Sequence, residues 1–403
     1  MSTSLLTHAF GTAGYHYVST EYRSGQVVFN IQSGNHPLRC SKCGSTNVVR
    51  RGQKKRFFRT VPIGKKTAFL NLTIPRVECR DCGLVRQVKI TFADRRRSYT
   101  RAFERYVLEL SGMTTIQDIA KHLDVGWDMI KDIQKRYLMR RYTKPKLKHL
   151  RLLAVDEIAI AKGHRYLTVV LDLESGAVVF VGDGKGSDSL KPFFKRLRRS
   201  GAKIKAIAVD MSPAYSFAIK SYLKDTAIVI DHFHVTKLYN EKLSKFRRDL
   251  QRDASLIEKQ VLKGTRWLLL KNPENIGDNR SERQRLEAAL KLNKPLATVY
   301  YMKEDLRQFW KQPNKDKAHS FLADWINRAF ASGITMLKKF ARTLGAIRTG
   351  LLAYYDYPIS TGPLEGTNNK IKTMKRQAYG FRDIQFFKLK IMAIHKAKYA
   401  LVG

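Results

Sequence analysis

Cys40-Ser41-Lys42-Cys43 and Cys79-Arg80-Asp81-Cys82 hold every cysteine of the chain, four in all. Each Cys-x-x-Cys turn places two sulfurs on one side of a tetrahedron, and the second turn completes it. Zinc suits four soft sulfur ligands, and a site closed in this way is structural rather than catalytic. One structural zinc on Cys40, Cys43, Cys79 and Cys82 is therefore expected. Between the pairs the chain reads as strands over 47–51, 56–61 and 67–77, with Ala68, Leu70, Leu72 and Ile74 alternating along the last. Gly44 and Gly83 each follow a second cysteine, where the chain must turn tightly so that backbone N–H groups face the sulfurs. Strands and turns together make a zinc ribbon. Disulfides, the other use of paired cysteines, fit poorly in a cytosolic chain.

The 403 residues carry 76 Lys plus Arg against 34 Asp plus Glu, a net charge of +42. A hydrophobic share of 43% is enough for real cores, which excludes a disordered basic tail. So large a charge repels itself in a compact fold. Its usual reason is a polyanionic partner, and nucleic acid is the first candidate. The ribbon's Lys54, Lys55, Arg56, Arg59, Lys65 and Lys66 suit a phosphate backbone. No apolar run approaches a membrane span, and the opening residues do not read as a secretory leader, so a cytoplasmic protein with no membrane partner is expected.

After Arg95-Arg96-Arg97 the chain reads as helical. Ile116, Ile119, Ala120 and Leu123 share one face, Asp124-Val125-Gly126 is a short turn, and Ile130, Ile133 and Tyr137 form the buried stripe of a second helix. That is the helix-turn-helix pattern, and Trp127, Asp128, Lys131, Gln134 and Lys135 are expected on its outward face, within reach of a major groove. Residues 139–151 read as a basic linker.

From 152 onward the pattern is β-β-β-α-β-α-β. A first strand, 152–155, ends at Asp156. Strands 165–171 and 177–181 follow, then helix 187–199, strand 204–209 ending at Asp210, a helix with Pro213 near its start, and strand 227–230 ending at Asp231. This is the ribonuclease-H-like order, in which the first and fourth strands lie side by side and bring Asp156 next to Asp210. Two unpartnered carboxylates repel, and divalent cations remove the conflict. Two Mg²⁺ (or Mn²⁺) ions about 4 Å apart stabilise the attacking and leaving oxygens of a phosphodiester displacement. A third carboxylate is expected from a later helix. Glu365 is the candidate, sharing a helical face with Asn368, Asn369 and Lys372, while Lys370, Lys375 and Arg376 add charge for DNA. Glu157 and Asp231 compete as ligands. Asp231 and His234 read more readily as residues that support the ligands from behind. The stretch 237–345 is rich in helix formers and reads as an all-helical insertion whose Trp267, Trp310 and Trp325 are core anchors, and whose Lys242, Lys245, Arg247, Arg248 and Arg252 face DNA or a second subunit.

The expected architecture is thus multidomain α+β. It comprises N-terminal strands and a zinc ribbon (1–90), a helix-turn-helix domain (95–138), the linker (139–151), and a ribonuclease-H-like α/β catalytic domain (152–236 and 346–403) interrupted by the helical insertion (237–345). The paired cysteines, the helix-turn-helix, Ala154-Val155-Asp156-Glu157, Ala208-Val209-Asp210-Met211-Ser212, Asp231-His232-Phe233-His234-Val235, Arg266-Trp267-Leu268-Leu269, the block from Gly362 to Lys372, and Gly380-Phe381-Arg382 resemble the zinc-ribbon DDE transposases of bacterial insertion sequences, the ISL3 family. One departure is Ser41, where the family usually carries proline. The resemblance implies that Asp156, Asp210 and Glu365 are the acidic triad, and that the chain binds the terminal inverted repeats of a mobile element. Metal-dependent cleavage and strand transfer, a homodimer synapsing two ends, and a place at the bacterial nucleoid are expected with it. Two alternatives are a domesticated transposase acting as a DNA-binding regulator, and a structure-specific nuclease on the same fold.

Overall fold

The computed structural model describes residues 4–161, 165–276 and 280–402. The chain divides into two compact units, one ending at Arg141 and the other beginning at Tyr142.

The first unit opens with a short helix, α1 (Leu5–Phe10), and a hairpin, β1 (Tyr15–Arg23) with β2 (Gln26–Ser33). A longer hairpin follows, β3 (Val48–Ile63) with β4 (Lys66–Cys79), and then β5 (Val85–Gln87). They make one sheet in the order β1-β2-β4-β3, with β5 also on β4. The pairing of β2 with β4 is parallel, Val27 opposite Ala68 and Ile31 opposite Leu72. The sequence predicts two strands where β3 is one. The ladder slips between Arg50 and Gln53, around Gly52 at φ 93°, and then resumes, so the glycine makes a bulge rather than a break. Ala68, Leu70, Leu72 and Ile74 are all buried, as their alternation predicts, and the last three pack with Leu6, Phe10, Ile31, Phe58 and Phe92.

Three helices complete this unit: α2 (Arg101–Leu110), α3 (Ile116–Leu123) and α4 (Trp127–Tyr142). Thr100 and Thr115 cap the first two, accepting from the Phe103 and Asp118 N–H groups at 3.1 and 3.2 Å. Ile119, Ala120, Leu123, Ile130 and Ile133 meet Phe103 and Val107 in a common core. The helix α4 runs to Tyr142, past the start of the predicted linker, because Pro145 is the first residue that cannot continue it. Arg59 is buried rather than turned to solvent, and its Nη2 donates to the Leu123 carbonyl at the end of α3 at 2.5 Å. Arg56 is likewise turned inward, donating to the Arg97 carbonyl at 2.6 Å. Lys54, Lys55, Lys65 and Lys66 remain exposed.

The second unit is built on a five-stranded sheet of β6 (Leu152–Ala161), β7 (Arg165–Asp172), β8 (Val178–Asp183), β9 (Ala206–Val209) and β10 (Ala227–Ile230), in the order β10-β9-β6-β7-β8. The first three pair antiparallel, and β9 joins β6, and β10 joins β9, in parallel. Helices α5 (Ser187–Ser200) and α6 (Pro213–Tyr222) are the crossovers. Leu190, Phe193, Phe194 and Leu197 of α5 are fully buried in one core with Val155, Val170 and Val179, which at about 2 kcal/mol per side chain braces one face of the sheet.

From α7 (His232–Asp253) the chain is helical through α8 (Leu256–Leu262), α9 (Arg266–Leu270), α10 (Arg280–Leu292), α11 (Lys294–Leu306), α12 (Lys315–Ala331), α13 (Thr335–Ala346) and α14 (Arg348–Leu352). Trp325 is fully buried between Tyr239 and Phe340, and its Nε1–H donates to the Met302 carbonyl at 2.9 Å. Trp267 corrects the expectation of a core anchor. It is 64% exposed and lies beside the Arg266 guanidinium, 4.7 Å from the ring centre. Arg247 is a second correction: it is buried, donating to Gln251 Oε1 at 2.8 Å and to the Leu262 carbonyl at 3.1 Å, so it braces α7 against α8. The chain closes with α15 (Gly362–Gln377), α16 (Ile384–Met392) and α17 (Lys396–Tyr399). Among the described residues no helix is long and apolar enough to cross a membrane.

Candidate active site and metal centre

The four sulfurs lie within 4.8 Å of one another, with Cys40 Sγ 3.7 Å from Cys82 Sγ and Cys43 Sγ 3.5 Å from Cys79 Sγ. Four sulfurs at about 2.3 Å from a central zinc would stand roughly 3.8 Å apart, so the cluster has the size of a tetrahedral Zn–S₄ site. Both knuckles turn on glycine. Gly44 at φ 79° donates to the Cys40 carbonyl, and Gly83 at φ 67° to the Cys79 carbonyl, at 3.0 and 2.8 Å. The Cys43 and Lys42 backbone N–H groups hold the Cys40 thiol down to about 6. The Cys43 thiol, helped by the Ser45 N–H but opposed by the neighbouring thiols, is pushed up to about 12. Four thiolates cannot crowd together without a cation, and the residues fit a structural zinc.

On α4, Trp127 is exposed and Lys131 lies 5.1 Å from its ring centre. Lys135 is half-buried. Gln134 corrects the expectation of an outward base reader. It is buried, and its Nε2 donates to Ser111 Oγ at 2.8 Å, closing α4 onto the end of α2. Gln134→Ala is therefore expected to destabilise the first unit by about 1 kcal/mol in urea unfolding, and to leave the DNA affinity of the folded protein within twofold.

In the second unit Asp156 lies in the middle of β6, which continues five residues beyond it because Ile158 is buried and the ladder with β7 runs on. Parallel pairing sets Ala154 opposite Ala208. Asp156 stands two residues beyond Ala154, and Asp210, the first residue past β9, two beyond Ala208, so the two follow neighbouring strands and the charge of Asp210 reaches Asp156. The Asp210 carboxylate accepts from the Ser212 N–H at 2.9 Å. Asp156 accepts from the Glu157 N–H and from Asn368 Nδ2, each at 2.7 Å. Burial pushes the Asp156 carboxyl above its ordinary range. The Glu157 N–H and His234 oppose the rise, while the charges of Asp210 and Glu157 add to it.

Strand alternation separates Glu157 from this pair. It points to the opposite face, where Tyr215 donates to it at 2.7 Å and Thr168 and Ser189 extend the network. Asp231 follows β10, its N–H donating at 3.0 Å to the carbonyl of Val209, the residue before Asp210. It is fully buried at the start of α7, where it accepts from Thr361 Oγ1 at 2.7 Å, and His232 Nδ1 stands 3.4 Å away. Thr361 is the residue from which α15 departs. Asp231 thus sets the origin of the helix that carries Asn368 and Glu365. Thr361→Val should leave that carboxylate without its hydroxyl and cost roughly 2 kcal/mol. A fall in the thermal midpoint would check it, and an unchanged midpoint would contradict it.

The helix α15 packs on β6. Leu364, Thr367, Asn368 and Ile371 are its buried edge. Glu365, Asn369 and Lys372 form the adjoining exposed edge, with Arg376 exposed one turn further on. Glu365 stands one turn before Asn368, but its carboxylate is not drawn into a common cluster with Asp156 and Asp210, since the cysteines alone form such a group among the described residues. Asn368 Oδ1 is buried without a hydrogen-bond partner. Hard carboxylate oxygens, a raised Asp156 carboxyl and this orphaned acceptor fit a divalent cation with its attendant donors. The sequence groups Asn368 with Glu365, Asn369 and Lys372 as one metal-and-phosphate surface, whereas the structure buries it against Asp156. Its bond to Asp156 depends on a contact across more than two hundred residues, which no local pattern carries.

Residues 153–391 match a family described as transposase, of the DDE ISL3 type. Residues 88–138 match the helix-turn-helix domain of transposase family ISL3, and 36–82 the zinc-finger of transposase IS204/IS1001/IS1096/IS1165. The chain is 33% identical over 360 residues to the transposase for insertion sequence element IS1001 of Bordetella parapertussis, covering 88% of each. It is 27% identical over 373 residues to the transposase for IS1557 of Mycobacterium tuberculosis, covering 86% of this chain and 83% of that one. The solved Drosophila P element transposase strand transfer complex is a distant likeness, with a TM-score of 0.40 and 14% identity over 76% of this chain and 94% of that one.

Proposed function

We propose that this chain, which belongs to the ISL3 family of DDE transposases, binds the terminal inverted repeats of an insertion sequence and cuts and joins DNA at Asp156, Asp210 and Glu365. It is a DNA-binding enzyme, a polynucleotidyl transferase, with a helix-turn-helix and a zinc ribbon. The observation that carries the site assignment is the bond from Asn368 to Asp156. It brings the helix of Glu365 to the strand pair that sets Asp156 beside Asp210. The sheet order, three antiparallel strands and two parallel crossovers, supports a ribonuclease-H-like reading, with α7 to α14 as the helical insertion.

Each side chain has a separate task. The Ser212 backbone N–H and the Asn368 side-chain amide hold the two aspartates in one orientation, so that little reorganisation is needed when charge develops. Divalent cations, Mg²⁺ or Mn²⁺, held by the three carboxylates would neutralise phosphate charge and lower the pKa of a water. Asn369, Lys372 and Arg376 line the exposed edge of α15 and suit the DNA backbone. Trp127, Lys131 and Lys135 on α4 suit the repeat. Joining two ends calls for a second copy of the chain, and the setting is the bacterial nucleoid.

The test incubates a repeat-bearing duplex and a supercoiled target with the protein and Mg²⁺. Cut ends joined to the target are expected. Cleavage confined to branched DNA, with no joint products, would replace the transposase reading by that of a nuclease. Tight binding without any cleavage would leave a regulator.

A further inference from the structure

The helix α15 ends in an unfavourable way. After Ala378 the backbone turns left-handed at Tyr379, φ 49°, and again at Gly380, φ 97°. The Tyr379 N–H donates to the Arg376 carbonyl and the Gly380 N–H to the Lys375 carbonyl, both at 3.0 Å. This pair of bonds closes a helix around one left-handed residue, a place that glycine fills at no steric cost. A bulky side chain there crowds its own backbone. Packing could offset the strain, yet the Tyr379 side chain is 101% exposed. The support behind it is firm. Phe381 stacks on the buried Phe387 with ring centres 4.4 Å apart and 15° between planes. Asp383 caps α16 by accepting from the Phe386 N–H at 2.9 Å. A strained, wholly exposed ring on a rigid base contributes nothing to the fold, and strain of this kind gathers where a chain meets its ligand.

We propose that Tyr379 is a stacking platform for a DNA base displaced from the duplex near the cut, an inference that rests on α15 being the active-site helix. A flat aromatic face standing in water suits a flat π partner, and every base offers one. Residues 375–382 include Lys375, Arg376 and Arg382 and no carboxylate, so phosphates on either side of the base are matched. The neighbours Gln377, Ala378 and Gly380 make no apolar patch for a protein partner. Tyr379 follows Asn368 along α15 by a rise of roughly 16 Å, which corresponds to about five nucleotide steps from the Asp156 contact.

The experiment uses the full chain and a duplex spanning the end of the element that encodes it, with 2-aminopurine placed at one position at a time near the cut. In Ca²⁺, without cutting, fluorescence is expected to rise at a position about five nucleotides from the scissile phosphate. Tyr379→Gly should abolish that rise and cut paired duplex roughly ten- to a hundredfold more slowly in Mg²⁺, whereas Tyr379→Phe keeps both. A mismatch at that position should restore cutting by Tyr379→Gly. The glycine variant should melt no lower than the parent, because it relieves the left-handed strain, so slow cutting would not be misfolding. Unchanged cutting and fluorescence in Tyr379→Gly would overturn the proposal, and so would slow cutting that a mismatch does not rescue. Altered self-association with unaltered cutting would do the same. The fluorescence arm needs no cleavage, so a parent protein that cuts nothing would sink the transposase reading alone.

Discussion

Asp210→Ala is expected to lower Mg²⁺-dependent cleavage of a repeat-bearing duplex by about a thousandfold or more, ~4 kcal/mol in the barrier, while DNA affinity stays within about twofold. The asymmetry follows from where the residue sits. Asp210 lies one residue beyond β9 and is remote in sequence from the helix-turn-helix. Its charge helps raise the Asp156 carboxyl in the metal-free protein. Removing it relieves a repulsion, so the variant should melt at or above the parent temperature when metal is absent. Asp156→Ala should lose cleavage to the same degree without that gain, since it strands the Asn368 amide, whose Oδ1 already lacks a partner. Gel-shift titration, a single-turnover cleavage assay and calorimetry with and without Mg²⁺ separate these effects. Cutting by Asp210→Ala at the parent rate would refute the site.

Zinc removal, or Cys79→Ser, is the second large effect. Apparent zinc binding free energies of order 10 kcal/mol are available to a four-sulfur site. Near the cysteines the end of the β3–β4 hairpin buries little else: Val77 contributes about 2 kcal/mol. The metal therefore outweighs packing there, and residues 40–53 and 75–87 should open together. The rest of the sheet has its own core around Phe58, Leu70 and Phe92, so opening should stop short of it. The expected result is protease cleavage confined to those two segments after chelation, reversed by added zinc. Protection that survives chelation would mean that the hairpin holds itself together.

Patterns of short range were legible in the sequence. The cysteine spacing announces the sulfur cluster, and alternation along β4 announces its buried face. The strand order sets Asp156 beside Asp210, because parallel crossovers leave little choice of neighbour. Strand period also shows, in retrospect, that Glu157 must face away from Asp156. What stayed hidden depends on the third dimension. Gln134 sits on the same side of α4 as Ile130, but only the presence of Ser111 at the end of α2 decides that it is buried. Trp267 looks like a core residue by composition, yet α9 turns it outward. Arg59 and Arg247 look like surface charge, yet each serves a helix carbonyl. The bulge at Gly52 hides the continuity of β3, since a glycine reads equally well as a break.

The bond between Asn368 and Asp156 has a consequence for synthesis. The ribbon and helix-turn-helix close within the first 141 residues, whereas the partner of Asp156 leaves the ribosome only about 220 residues later. At roughly 5–20 residues per second, that delay is on the order of 10–40 s. For that interval a nascent polypeptide can hold its DNA-binding unit folded while its scissors are still unassembled.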